Sequence, residues 1–340
     1  MPTCLSPAES FVLARQWPVL DVRSPGEYAN GHIPGAVSLP LFSDAERAEV
    51  GTLYKQVNAD QAFLRGLEIA GAKLRNYVER ARKVAPQGQV LLYCWRGGQR
   101  SGSMAWLLER AGLQVAVVEG GYKALRSYGK QYLASLEPRL RVLGGPTGSG
   151  KTEVLRAMAK QGSHVLDLEA LAHHQGSAFG GLGQAPQPTN EQFENELITA
   201  ALAIAQDGQP IWVEDESRGI GRVYLPEGFY TAMQAAPLYQ LELPQSVRLG
   251  RLVSAYGRHP IEALQDAFAH LRKRMGGQFV KAAQEALAAG KLELAAQLAL
   301  SYYDRAYAHG QHKRARVPVH TIRVQAFDVQ LIAQQLQQYE

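Results

Sequence analysis

Leu140-Arg141-Val142-Leu143-Gly144-Gly145-Pro146-Thr147-Gly148-Ser149-Gly150-Lys151-Thr152 decides how this 340-residue chain is read. A short apolar run ends in G-x-x-x-x-G-K-[ST] and continues into a helical pattern. That strand–loop–helix setting is what makes the motif a phosphate-binding loop. Gly145 opens the loop, and the amides of Thr147, Gly148, Ser149, Gly150 and Lys151 wrap a diphosphate or triphosphate. Lys151 reaches the outer phosphate, and Thr152 is placed to ligate Mg²⁺ if the ion is present.

Downstream, residues 210–214 form an apolar strand that ends in Glu214-Asp215-Glu216. In phosphate-loop proteins a carboxylate at this place faces the metal or its waters. Asp215 and Glu216 are the candidates, on opposite faces if the strand persists; a solvated acidic strand end remains the other reading. Further strands are expected at 238–243 and 319–324, with a helix from Asp328. Between them, residues 245–310 are helical in pattern and rich in Ala, Leu and Arg. The long Gly/Pro-rich connection 176–190 reads as a lid or binding loop, because Phe179 and Phe193 are out of place in a floppy insertion.

Upstream, residues 17–22, 89–94 and 114–119 are apolar runs of strand length, and 101–111 has helical spacing. Strand, helix, strand at this spacing implies a parallel sheet with crossover helices. Cys94 ends the second run, followed by Trp95-Arg96-Gly97-Gly98-Gln99-Arg100-Ser101. A loop between a strand end and a helix N-terminus turns several N–H groups inward, and these donors favour an anion at its centre. A cysteine there is held as a nucleophilic thiolate, with Arg96 and Arg100 adding positive charge at the rim. The glycines let the backbone curl.

C-x5-R after a strand is shared by rhodaneses and some phosphatases. Asp21-Val22-Arg23, Glu27-Tyr28 and Gly31-His32-Ile33-Pro34-Gly35-Ala36 resemble the N-terminal rhodanese signature. The resemblance implies that the loop cysteine carries a terminal sulfur or a related chalcogen. Asp21, Arg23 and His32 then orient the backbone rather than perform chemistry.

The expected fold is α/β: an N-terminal rhodanese-like parallel-sheet domain over 1–127, a linker helix region over 128–138, and a phosphate-loop α/β domain with a helical extension over 139–340. No stretch approaches the roughly 18 apolar residues of a membrane helix. The N-terminus lacks the pattern of a secretory signal. Two cysteines, Cys4 and Cys94, can build neither a disulfide framework nor a four-cysteine zinc site, so a reduced, cytoplasmic setting is expected. Lys+Arg 36 against Asp+Glu 31 gives +5 and a pI near 9.1. That mild excess permits a nucleic-acid or phosphate partner. Arg248, Arg251, Arg258, Arg272, Lys273 and Arg274 stand in the helical stretch, with His312, Lys313, Arg314 and Arg316 beyond it. Tyr256, Phe268, Tyr302, Tyr303 and Tyr307 are interleaved; they stack on bases or belong to the core.

A rhodanese-like segment followed directly by a phosphate-loop segment resembles the tRNA 2-selenouridine synthase family over essentially the whole chain. Cys94–Ser101, Gly144–Thr152 and Gly176-Ser177-Ala178-Phe179-Gly180 carry the resemblance. It implies conversion of 5-substituted 2-thiouridine at the wobble position of tRNAs for Lys, Glu and Gln. Geranyl diphosphate alkylates the sulfur first; selenium from selenophosphate then displaces geranylthiol. A selenophosphate-producing enzyme would supply the donor, no tightly bound cofactor is expected, and Mg²⁺ is an option at Thr152. Cys94 is implied as selenium carrier or nucleophilic thiol, the loop at 145–152 as the diphosphate site, and Arg272, Lys273 and Arg274 as part of a tRNA surface. The alternatives are an ATP-dependent tRNA sulfurtransferase and a non-catalytic RNA-binding protein. The intact C-x5-R loop speaks against the second.

Overall fold

The structure, a computed structural model, describes residues 2–204, 207–311 and 317–340. The chain is divided into two units: residues 1–132 with 194–202, and residues 133–193 with 203–340.

The first unit is built on five strands: β1 (Thr3–Leu5), β2 (Val19–Asp21), β3 (Val37–Ser38), β4 (Gln89–Tyr93) and β5 (Gln114–Val118). They pair in parallel in the order β1-β5-β4-β2-β3. Val90, Leu91, Leu92 and Tyr93 of β4 are all buried. A parallel strand covered on both faces needs such an unbroken apolar run rather than alternation. The helix Gln99–Arg110 makes the crossover from β4 to β5 and buries Met104, Ala105 and Leu108. Each buried side chain of this kind contributes about 2 kcal/mol. β1 and β3 escape a sequence reading because three and two residues carry too little pattern.

After β5 the helix Gly121–Ala134 runs through the first half of the expected linker, and a single 3₁₀ turn, Glu137–Arg139, precedes the next strand. Residues 194–202, sequence neighbours of the phosphate-loop segment, belong to this first unit. Arg126 pairs with Glu194 and donates to Asn195 Oδ1 at 2.9 Å. Asn195 Nδ2 donates to Tyr122 Oη at 2.7 Å and to the His32 carbonyl at 3.0 Å.

The second unit has β6 (Leu140–Gly144), β7 (His164–Leu166), β8 (Ile211–Glu214), a short hairpin of β9 (Gly219–Ile220) and β10 (Val223–Tyr224), then β11 (Leu238–Glu242) and β12 (Val319–Arg323). The main sheet is parallel in the order β12-β11-β6-β8-β7. β6 is central, so the loop leaving its carboxyl end lies at the crevice where open α/β sheets bind ligands. The helices Gln245–Tyr256, Ile261–His270, Arg272–Met275, Gly277–Ala288 and Leu292–Gln311 are inserted between the adjacent strands β11 and β12. Much of the insertion surrounds a core of its own that includes Phe179, Leu264, Phe268, Leu271, Leu287, Ala295 and Ala299.

Candidate functional site

In the first unit Cys94 directly follows β4, and its side chain is 3% exposed. The chain must curl tightly to surround it. Gly97 has φ +65° and Gly121 φ +61°, and the two backbones touch: a Cβ on Gly121 would lie 2.4 Å from the Cys94 carbonyl oxygen and 2.5 Å from the Gly97 nitrogen. Only glycine meets both demands. Tyr122 N–H donates to the Cys94 carbonyl at 2.8 Å and Lys123 N–H to that of Trp95 at 3.1 Å, closing the loop from behind.

Cys94 Sγ lies 3.2 Å from Ser101 Oγ, which also reaches the Gly98 carbonyl at 3.1 Å. Burial pushes the thiol's pKa up. The Ser101 hydroxyl, the amides of Arg96 and Ser101 and the Arg100 charge outweigh burial, so the thiol sits below its ordinary value. Arg100 is fixed by Glu27 at 2.9 Å, an acid that also receives the Ser24 amide at 3.0 Å. Arg96, Gly98 and Gln99 are exposed, while Trp95 is half-buried against Tyr122. Asp21 and Arg23 are fully buried and spend their charges on each other; Arg23 also donates to the Gly31 carbonyl at 2.6 Å and lies over the Tyr122 ring at 3.6 Å. His32 stacks on Tyr28 at 3.8 Å. These three residues brace the loop's supports.

In the second unit the helix Lys151–Lys160 begins at the phosphate loop, and its axis aims positive dipole at the loop centre. Lys151 Nζ is folded back onto the Gly145 carbonyl at 3.0 Å. Thr152 Oγ1 donates to Glu169 Oε2 at 2.7 Å. Ser149 is fully buried, and its Oγ has no hydrogen-bond partner among the described residues. Two arginines grip the loop from outside. Buried Arg248 donates to the Thr147 carbonyl at 3.2 Å and is held by Asp304 at 2.8 and 2.9 Å. Arg251 donates to the Gly148 carbonyl at 3.1 Å and pairs with Glu153 at 2.7 Å. Of the basic residues read from the sequence, these two serve the phosphate loop itself.

The acidic strand end is partly enclosed. Asp215 N–H continues the ladder to the Leu143 carbonyl at 2.9 Å, and its Oδ2 would lie 3.3 Å from a Cβ on Gly144. Glu216 turns to the loop segment beyond the helix Leu168–Ala172, where its Oε2 would lie 2.5 Å from a Cβ on Gly176. Burial, against the pull of Lys151 and helped by the charges of Glu169 and Asp215, pushes Glu216 up to about 8. Glu214 is fully buried; burial first, then Asp167 and Glu169, raise it well above the usual carboxylate range. Its Oε2 accepts from Leu168 N–H at 2.9 Å, and its Oε1 has no hydrogen-bond partner among the described residues. Glu214 and Glu169 are the members of this set that the sequence reading did not name as candidates; nothing marks Glu169 before β7 and β8 are placed side by side. Among the described residues no three His, Cys, Asp or Glu side chains converge into a metal-ligand set.

An apolar cavity opens beside the phosphate loop. Thr147 and Ser177 stand in its wall together with Phe179, Leu252, Tyr256 and Phe268, and the helix Leu292–Gln311 forms one side. It holds about 450 Å³ of space free of atoms, open solvent included. Phe179 is 7% exposed and edge-on to Phe268 at 4.9 Å, and Phe193 is fully buried, so both anchor the connection 176–190.

Arg272, Lys273 and Arg274 are exposed on the four-residue helix Arg272–Met275. The aromatics interleaved with the basic residues lie elsewhere: Phe268 is core, Tyr256, Tyr302 and Tyr303 pack against that core, and Tyr303 Oη accepts from Ala178 N–H at 3.0 Å. They are therefore no stacking platform; apolar rings at helical spacing serve the interior first. His312, Lys313, Arg314 and Arg316 lie outside the described residues. No helix among the described residues is long and apolar enough to cross a membrane.

Comparison with known proteins places both halves. Residues 10–128 match the rhodanese-like domain, and residues 138–266 match the tRNA 2-selenouridine synthase AAA domain. The tRNA 2-selenouridine synthase of Shewanella sediminis is 35% identical over 331 residues, covering 87% of this chain and 88% of that one. That of Shewanella oneidensis is 36% identical over 93% of this chain and 92% of its own length. That of Bordetella bronchiseptica is 44% identical over 70% of this chain and 65% of its own length.

Proposed function

This chain belongs to the tRNA 2-selenouridine synthase family, and we propose that it replaces sulfur by selenium at C2 of a 5-substituted 2-thiouridine at the tRNA wobble position, through an S-geranyl intermediate. The observation that carries the geranyl step is the adjacency of phosphate loop and apolar cavity. Thr147 belongs to both. A site with a diphosphate cradle at one end and an apolar hollow at the other suits an amphiphile with a diphosphate head and a hydrocarbon tail.

In the first step a sulfur lone pair forms the bond to C1 of geranyl diphosphate. The C1–O bond breaks, and its electron pair leaves with diphosphate. Negative charge grows on that leaving group, so loop amides and Lys151 stabilise the transition state more than the ground state. Lys151 is within reach of this task once it releases the Gly145 carbonyl. Thr152, Glu169 and the partnerless Glu214 oxygen fit a Mg²⁺ site. When bound, the ion would neutralise part of the leaving charge.

In the second step the C2–S bond of the alkylated base breaks and geranylthiol departs, and the selenium of selenophosphate forms the bond to C2; water then attacks phosphorus, the Se–P bond breaks, and phosphate leaves. S-alkylation turns a poor leaving group into a better one. Cys94 serves here as the nucleophilic thiol: its thiolate, favoured by Ser101 and Arg100, adds at C2 as geranylthiol leaves and is itself displaced by the incoming selenium. Selenophosphate, supplied by a selenophosphate-producing enzyme, is the donor; tRNAs for Lys, Glu and Gln are the acceptors, and the cytoplasm is the setting.

Mass spectrometry of the wobble nucleoside tests the reading. Thiolated tRNA with geranyl diphosphate alone should yield the S-geranyl nucleoside, and adding selenophosphate should convert it to 2-selenouridine. Selenouridine formed equally well without geranyl diphosphate would contradict the pathway.

A further inference from the structure

Asn195 lies well beyond residue 128, where the rhodanese-like match ends, yet it is fully buried within the first unit. Its amide offers two N–H donors and one acceptor oxygen, and all three are used. Nδ2 donates to Tyr122 Oη at 2.7 Å and to the His32 carbonyl at 3.0 Å, and Oδ1 accepts from Arg126 at 2.9 Å. Both segments that it ties together stand behind Cys94. Ile33 N–H donates to the hydroxyl of Tyr93, the residue before the cysteine, at 3.2 Å. Tyr122 is fully buried and touches the loop in three ways. Its N–H donates to the Cys94 carbonyl at 2.8 Å, and its ring lies 5.8 Å from that of Tyr93 and 5.7 Å from that of Trp95. A buried hydroxyl stays where its partners are, so the Asn195 amide fixes the far end of this ring.

We propose that Asn195 is a positioning residue for Cys94: through Tyr122 it sets the shape of the loop whose amides and Ser101 hydroxyl hold the thiolate. This rests on the reading of Cys94 as the thiol of the selenium step. The cysteine site is then incomplete within the rhodanese-like segment and takes a side chain from the helix Asn190–Ala203, whose residues 194–202 belong to the first unit. Asn195 carries no charge, so it acts on the thiol through geometry. The charges about the loop come from other residues: Arg100 with Glu27, Arg96 at the rim, the buried Asp21–Arg23 pair, and Arg126 with Glu194 behind Tyr122.

The test is a pH titration of the Cys94 thiolate in the full chain, read from ultraviolet absorbance as the difference between each protein and its Cys94→Ser counterpart. Cys4 is present in both and cancels. Asn195→Leu keeps the branched shape and removes the three hydrogen bonds; Tyr122→Phe keeps the ring and removes only the hydroxyl. Each should raise the inflection by about half a pH unit, since donors moved away from the thiolate favour it less. The double variant should shift it no further than the larger single, because both changes cut the same link. Selenation of tRNA already geranylated should fall in Asn195→Leu at neutral pH and recover toward the parent rate as pH rises, which a merely structural role would not produce. Lys130→Ala, which breaks an ion pair to the adjacent Glu194, should leave the inflection at the parent value. If Asn195→Leu fails to fold, Tyr122→Phe decides. An unchanged inflection in Tyr122→Phe, shifts that add in the double variant, or an equal shift in Lys130→Ala would overturn the proposal. Normal selenouridine from the Cys94→Ser protein would overturn the underlying reading instead.

Discussion

Cys94 sits under two opposed forces. Burial disfavours its thiolate, while the Ser101 hydroxyl, two backbone amides and Arg100 favour it and prevail. A depressed pKa means that the anion persists to lower pH, so the selenium step should rise with pH through an inflection below the ordinary thiol value of about 8.5. Ser101→Ala removes one of the donors to the thiolate and should move that inflection upward, read from the pH profile of selenation on tRNA already geranylated. An inflection unchanged by Ser101→Ala would place the controlling titration elsewhere. Cys94→Ser keeps the size and removes the soft nucleophile. It should abolish selenium incorporation while S-geranylated tRNA still forms and accumulates, as seen in the nucleoside digest. Normal selenouridine from this variant would exclude Cys94 from the step.

Among the elements, the phosphate loop with the helix Lys151–Lys160 is the one proposed to carry the alkylation. Lys151→Ala removes a charge aimed at the departing diphosphate and should slow geranylation at least about 100-fold. Selenation of tRNA geranylated by other means should continue, because that step releases geranylthiol and no diphosphate. Equal loss of both steps would show that the lysine serves something other than the leaving group. Both loops were legible in the sequence for one reason: each needs its glycines and its charged or nucleophilic residue at fixed offsets between a strand and a helix. β2, β4, β5, β6 and β8 were legible as apolar runs, because parallel strands buried on both faces leave little room for polar residues, and β11 and the edge strand β12 were read from their β-branched and apolar residues. What escaped depends on distant pairings. Arg248 reaches Thr147 across 101 positions and Arg251 reaches Gly148 across 103, and no local pattern encodes either contact. Glu169 meets Thr152 only once the helix Leu168–Ala172 is seated beside β8. The cavity, walled by side chains from 147 to 303, was legible only as far as the connection 176–190 reads as a lid or binding loop.

At the scale of the molecule, the proposed reading asks a chain of +5 to hold a polyanion while two chemistries act on one base. Binding through phosphates releases counterions, so affinity for tRNA should fall steeply from low to moderate salt. Replacing Arg272, Lys273 and Arg274 together by Ala should weaken binding and reduce the slope of log K against log salt by about 2–3. A triple variant with the parent slope would move the tRNA surface away from the helix Arg272–Met275. The central claim is that the phosphate loop holds the diphosphate of a prenyl donor and needs no nucleotide. The most direct measurement is single-turnover geranylation of thiolated tRNA by the purified protein in the absence of ATP and GTP. The account predicts full formation of the S-geranyl nucleoside, no gain on adding ATP, and competition by free pyrophosphate. No product until ATP is supplied would contradict it and would assign the loop to nucleotide-driven activation of the base, as in an ATP-dependent sulfurtransferase.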